Sequence, residues 1–153
     1  MSNELQNTQD IIIILSKLPE FLRESMMKSR LQELCTCSPE ARGEIIDSIL
    51  VGMASADINA LTKVIRTWLA VVSGLEIKDI LTIFESYINR VGCDPSVVDS
   101  NCFNTLFEAF QILDTSRRNI LRNCLIETIL NHPRGRHIIY RLPEKIRLAL
   151  VFR

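Results

Sequence analysis

Four groups of side chains are of types that carry chemistry: the pair Cys35-x-Cys37, the histidines His132 and His137, the thiol of Cys124, and an arginine-rich run that begins at Arg117. A structural zinc site draws on two close ligand pairs, and His132-x4-His137 has the spacing of one of them. Cys35-x-Cys37 is one residue short of the other, lies about a hundred residues away, and Pro133 and Gly135 interrupt the stretch between the histidines. No metal site is expected. Cys124 falls on an apolar helical stripe, where a thiol packs as a small hydrophobe, and no partner base can be assigned to it. Glycine-rich phosphate loops, His-Glu-x-x-His and Gly-x-Ser-x-Gly are all absent. The expectation is therefore a chain that is not an enzyme and has no cofactor, with an enzyme of unknown reaction as the third choice.

The arginine-rich run is the stronger lead. Arg117, Arg118 and Arg122 stand near one helix start, and Arg134, Arg136, His137, Tyr140, Arg141, Lys145 and Arg147 follow. The formal net charge is zero, yet residues 1–116 hold nine basic and sixteen acidic side chains, whereas residues 117–153 hold nine basic and two acidic. A total of zero thus conceals −7 followed by +7. Within the basic part arginine outnumbers lysine eight to one, and the planar guanidinium fork suits bidentate contact with carboxylate or phosphate.

Two functions follow from that division. The favoured one is a helical module for protein interaction or self-association, with the ten residues from Arg117 to Arg147 named above as its contact surface and an acidic face, its own or a partner's, as the complement. Pro143 to Phe152 interleaves apolar and basic residues and would serve as an amphipathic anchor or as a last core helix. The alternative is an RNA- or DNA-binding regulator, with Arg134-Gly135-Arg136 as a phosphate-contacting turn and Tyr140 available for stacking. Against it, the isoelectric point is near 6.7, whereas nucleic-acid-binding domains usually exceed about 9.

The elements that must position these residues read as helices almost throughout. Ser38, Asp57 and Asp114 are N-cap candidates, with Pro39 suited to a first helical position. Stripes such as Ile58, Leu61, Ile65, Trp68 and Val72 recur at three- and four-residue steps. Leu18-Pro19-Glu20 opens a helix running to about Leu34. Ile11 to Ile14 could be a strand by β-branching alone, but no second strand exists to pair with it. Ser73-Gly74 and Gly92 are read as helix ends, Asp94-Pro95 as a turn, and His132 to Arg136 as a break before the last helix. The predicted fold is all-α: seven to eight helices as helical hairpins, in a compact bundle or short α-solenoid, forming one domain over 1–153.

A faint internal repeat accompanies this pattern. Pro19, Pro39 and Pro143 each precede Glu, with Arg shortly after. The pairs Ile45-Ile46, Ile80-Leu81 and Ile120-Leu121 recur at two similar separations, both close to the period of helix-pair repeats. Asn131-His132-Pro133-Arg134-Gly135-Arg136-His137-Ile138-Ile139 resembles the inter-helix turn and second-helix start of Pumilio-type RNA-binding repeats, over that one window. The Leu-x-x-Leu-Pro and Ser-Pro-Glu helix starts are similar to helical hairpins of magnesium-transporter and flagellar-motor regulatory domains. Neither resemblance carries a residue's role across, and no family is assigned from them.

Five cysteines at uneven spacing point to reduced thiols. The longest apolar run, Ile11 to Leu15, is far short of the about 20 residues a bilayer span needs, and no basic residue precedes Lys17. The expectation is a soluble cytoplasmic protein without a transmembrane segment.

Overall fold

A computed structural model describes residues 2–94 and 101–150, with side chains from residue 10 in the first stretch and from residue 102 in the second. Among the described residues there are nine helices: α1 (Ser2–Lys17), α2 (Glu20–Thr36), α3 (Pro39–Ala54), α4 (Ile58–Ser73), α5 (Ile77–Cys93), α6 (Asn101–Ile112), α7 (Thr115–Asn131), α8 (Gly135–Arg141) and α9 (Glu144–Ala149). The all-α prediction holds, and the Ile11–Ile14 segment is helical. Pro95 of the expected turn, and Val151 and Phe152 of the expected last helix, lie outside the described residues. None of the described helices is long and apolar enough to cross a membrane.

The helix starts follow the predicted capping chemistry. Ser38 Oγ accepts from the Ala41 N–H at 3.2 Å with Pro39 in the first turn, Asp57 accepts from Ala60 N–H at 3.1 Å, and Asp114 from Arg117 N–H at 2.9 Å. Each side chain satisfies one of the amides that a helix start leaves without an internal partner.

Helices α2 to α5 begin at Glu20, Pro39, Ile58 and Ile77, a constant step of nineteen, and α7 begins at Thr115, two such steps after α5. Each step is a helix of sixteen or seventeen residues plus a connection of three or two. Side chains keep the same register. Leu15, Leu34, Met53, Val72, Val91, Phe110 and Ile129 follow one another at that step, and all seven belong to the core or pack against it. A double step falls between the two separations visible among the apolar pairs of the sequence. Those pairs are displaced because they compare neighbouring rather than equivalent positions.

This register fixes the packing. α1 packs on α3 and α4, α2 on α4 and α5, α3 on α5, α4 on α6 and α7, and α5 on α7 and α8. Each helix thus meets mainly those two and three places along. The largest core runs through α2 to α7, from Leu31 and Ile46 to Leu121 and Cys124, and a second joins Ile88, Val91 and Ile129 to Ile138, Leu142, Ile146 and Leu150.

Two expectations about glycines need correction. Gly92 does not end α5, which continues to Cys93 with Gly92 buried inside it. A Cβ there would come within 2.9 Å of His132 Cε1, so the small residue admits the imidazole rather than stopping the helix. Gly135 likewise does not belong to a break. It is the buried first residue of α8, the helix that raises the count to nine.

Candidate functional site

The expected contact residues lie on α7, α8, α9 and the turns between them, and the fold divides them into two groups. The first group is used internally. Arg117 Nε stands 3.4 Å from Asp114 Oδ2, one helical turn back. The Arg118 guanidinium donates to Thr115 Oγ1 at 3.3 Å and to the Gln111 carbonyl at 3.5 Å. Lys145 Nζ sits 5.5 Å from the centre of the Phe107 ring, within cation–π range. Arg122 and Arg147 are half-buried, each with its Nε withdrawn from solvent and without a hydrogen-bond partner among the described residues.

Arg134 belongs to this internal group too. Its Nη1 donates to the Gly92 carbonyl at 2.8 Å, and its amide donates to His132 Nδ1 at 3.0 Å. Because Nδ1 accepts, the proton of a neutral His132 resides on Nε2, which stands 3.0 Å from Asn89 Oδ1 and donates to it. Both ring nitrogens are therefore occupied, Nδ1 in bracing the α7–α8 turn and Nε2 in joining it to α5. Within the turn expected to contact phosphate, Arg134 thus also ties the start of α8 to α5. Among the described residues no group of three His, Cys, Asp or Glu side chains is placed to hold a metal ion.

The second group is exposed on α8, with Arg141 also engaged in a contact of its own. Ile138 is 1% exposed and Leu142 is buried beside it, so the helical period turns the opposite side of the helix to solvent. That side carries Arg136, His137, Tyr140 and Arg141, all exposed. Arg136 and Tyr140 are four positions apart, as are His137 and Arg141, so they stand as two neighbouring pairs. Tyr140 is 79% exposed, and Leu130 on α7 and Leu148 on α9 are exposed as well. The arrangement offers guanidinium forks around an aromatic ring, with aliphatic side chains on the adjoining helices.

Three of the thiols are held protonated. Burial pushes Cys102 up to about 11. Cys124 is raised by burial first and by the Glu127 charge second, while Cys35 is raised by burial and by Asp79 despite the nearby Arg42. A thiol in that state is a poor nucleophile.

One polar arrangement escapes sequence analysis, although its two arginines lie in the Pro-Glu starts. Arg23 Nε donates to Thr67 Oγ1 at 2.7 Å, and its Nη1 donates to the carbonyls of Leu18 at 2.9 Å and Leu15 at 3.4 Å. One step on, Arg42 Nε donates to Ser86 Oγ at 2.9 Å, and its Nη1 to the carbonyls of Cys37 at 2.9 Å and Leu34 at 3.4 Å. Each hydroxyl donates its own proton to the carbonyl four positions before it, Lys63 and Thr82 respectively, leaving a lone pair for the arginine. Thr105 and Cys124, both buried, occupy the next positions of that hydroxyl series. Donor and acceptor are separated by the same interval in both pairs, a signal that becomes visible only once the nineteen-residue step is known. Compared with known proteins, the chain matches no family model, no curated protein and no solved structure.

Proposed function

We propose that this protein is a non-catalytic interaction module built of single-helix repeats, and that the outer face of α8 with the adjoining α9 binds an acidic segment of a partner protein. The observation that carries the reading is the set Arg136, His137, Tyr140 and Arg141, exposed together on a helix whose other side is anchored by Ile138 and Leu142. Rigid aromatic and arginine side chains are the types that dominate binding energy at protein interfaces. Arginine forks favour carboxylates, and Tyr140 supplies apolar area for an acidic amphipathic segment. A reducing, cytoplasmic setting suits the five unpaired cysteines.

Titration of a fluorescent peptide that alternates Glu with Leu and Phe tests this. Saturable binding is expected, weakened at least about tenfold in the triple variant Arg136→Ala, Tyr140→Ala, Arg141→Ala, while Arg118→Ala leaves it nearly unchanged. Absence of binding, or equal binding by the triple variant, would overturn the proposal.

A second reading rests on Tyr140, which stands exposed among arginines as a ring that stacks on bases would. Labelled single-stranded RNA separates the two. If it binds more tightly than the peptide, and the triple variant abolishes that binding, the nucleic-acid reading replaces the acidic-segment one.

A further inference from the structure

The arginine arrangement of Arg23 and Arg42 occurs twice and is then left half complete. Leu15, Leu34 and Met53 stand at equivalent positions, and the carbonyl of each accepts the N–H three residues on, from Leu18, Cys37 and Ala56 at 3.2, 3.3 and 3.3 Å. The ends of α1, α2 and α3 therefore turn alike. At the first two, a guanidinium from Arg23 or Arg42 bonds both carbonyls of the turn and a hydroxyl, Thr67 or Ser86, on a later helix. The third keeps the turn and the hydroxyl, Thr105 on α6, but its arginine position holds Leu61, which is 2% exposed and belongs to the largest core. One step further both members change, to Ile80 and Cys124, and no polar pair remains.

A cleft of about 380 Å³ lies where a third guanidinium would sit. Met53, Ala56, Leu61 and Thr105, which hold the four positions of the set, all line it, together with the exposed Asn104 and Glu108. Its volume is within the range of small-molecule sites. The lining suits a cation that donates several hydrogen bonds. Carbonyls at a helix end lack internal partners, and Glu108 carries the only charge among the described residues of the lining. Thr105 has a contact of its own, yet Thr67 and Ser86 show that a hydroxyl in this register donates to one partner while accepting from another. A primary ammonium has the charge but not the planar fork that spans two carbonyls and a hydroxyl in the occupied copies.

We infer that this cleft binds the guanidinium group of a ligand, an arginine side chain of another protein or a free alkylguanidine, in the place of the missing third arginine. The site is built by α3, α4 and α6, shares no residue with α8 and does not depend on the acidic-segment proposal.

Nuclear magnetic resonance titration of the full chain with propylguanidinium tests the inference. Saturable shifts are expected at the amides of Ala56 and Thr105, with a dissociation constant on the order of 1 mM. None is expected at Leu18 and Cys37, whose carbonyls already hold arginines. Propylammonium, of equal charge, should bind at least about tenfold more weakly. Thr105→Val should weaken binding by about tenfold, and Leu61→Arg, which places the chain's own guanidinium in the cleft, should abolish it. Helix content and melting temperature show whether each variant is folded, and if Leu61→Arg is not, Thr105→Val decides. A capped tripeptide with arginine between two alanines identifies the source. Tighter binding than propylguanidinium supports an arginine presented by a protein, and equal or weaker binding supports a free alkylguanidine. Absence of saturation, equal binding by propylammonium, or full binding by either folded variant overturns the inference.

Discussion

Arg23 closes the end of α1 and Arg42 the end of α2, each while reaching to a hydroxyl on a helix further along the chain. The last carbonyls of a helix lack internal partners, and the guanidinium presents enough donors to serve them and a hydroxyl at once. At Arg23 the three acceptors lie between 2.7 and 3.4 Å, and the side chain is buried. Removing the donors would leave the Leu15 and Leu18 carbonyls and the Thr67 hydroxyl short of partners in a place water reaches poorly. Arg23→Met is expected to cost about 2–3 kcal/mol, and thermal unfolding should show the melting temperature lowered by about 5–10 °C. Arg23→Lys should recover little of it, because an ammonium group does not reproduce the fork. Thr67→Val alone should cost about 1 kcal/mol. The double variant Arg23→Met, Thr67→Val should fall short of the sum, since both remove the same hydrogen bond. Full additivity in that cycle would mean that the contact between Arg23 and Thr67 contributes nothing to stability.

Among the helices, those written by capping and apolar period are legible in the sequence, and those decided by close approach are not. Ser38-Pro39, Asp57 and Asp114 announce α3, α4 and α7 through local chemistry alone. Gly92 and Gly135 read as breakers, because a sequence does not reveal whether a glycine is wanted for its conformation or its lack of a side chain. Here it is the second: a Cβ on Gly135 would overlap the Ile129 carbonyl oxygen, an atom of the α7 backbone that cannot swing aside. Of the candidate site, the arginine-rich stretch and Tyr140 are legible, but not its division. Which arginines bond within the chain depends in part on Gln111 and Gly92, partners in other segments that periodicity does not place. The glycines supply a prediction at this scale. Gly135→Ala should push α8 away from α7 and cost about 1–3 kcal/mol. Gly43→Ala, within α3 where nothing lies within 4 Å of the new carbon, should instead stabilise by about 0.5–1 kcal/mol through helix propensity. Opposite shifts in denaturant midpoint would confirm both, and a neutral Gly135→Ala would show that α8 does not need the close contact.

At the scale of the whole molecule, a packing order that joins each helix mainly to those two and three places along makes stability depend on how many neighbours a helix has. α4 packs on α1, α2, α6 and α7, and α5 on α2, α3, α7 and α8. Opening either one requires disrupting the core that extends from Leu31 to Cys124. α8 and α9 hold to the rest through Ile138, Leu142, Ile146 and Leu150, which meet Ile88, Val91 and Ile129 in a separate cluster. Releasing them exposes that smaller cluster and leaves the larger one intact. The free energy of opening should therefore be graded along the chain rather than shared equally. Amide hydrogen exchange of the full chain should find α4 and α5 the slowest to exchange, at the level of global unfolding, with α8 and α9 faster by at least about tenfold, a difference of about 1.4 kcal/mol. A single protection level across α3 to α9 would instead mean that the two clusters unfold as one unit. The graded outcome bears on the proposed binding face as well. An acidic segment bound across Arg136, Tyr140 and Arg141 would stabilise the closed state of α8, so its addition should slow exchange there first and leave α4 and α5 nearly unchanged.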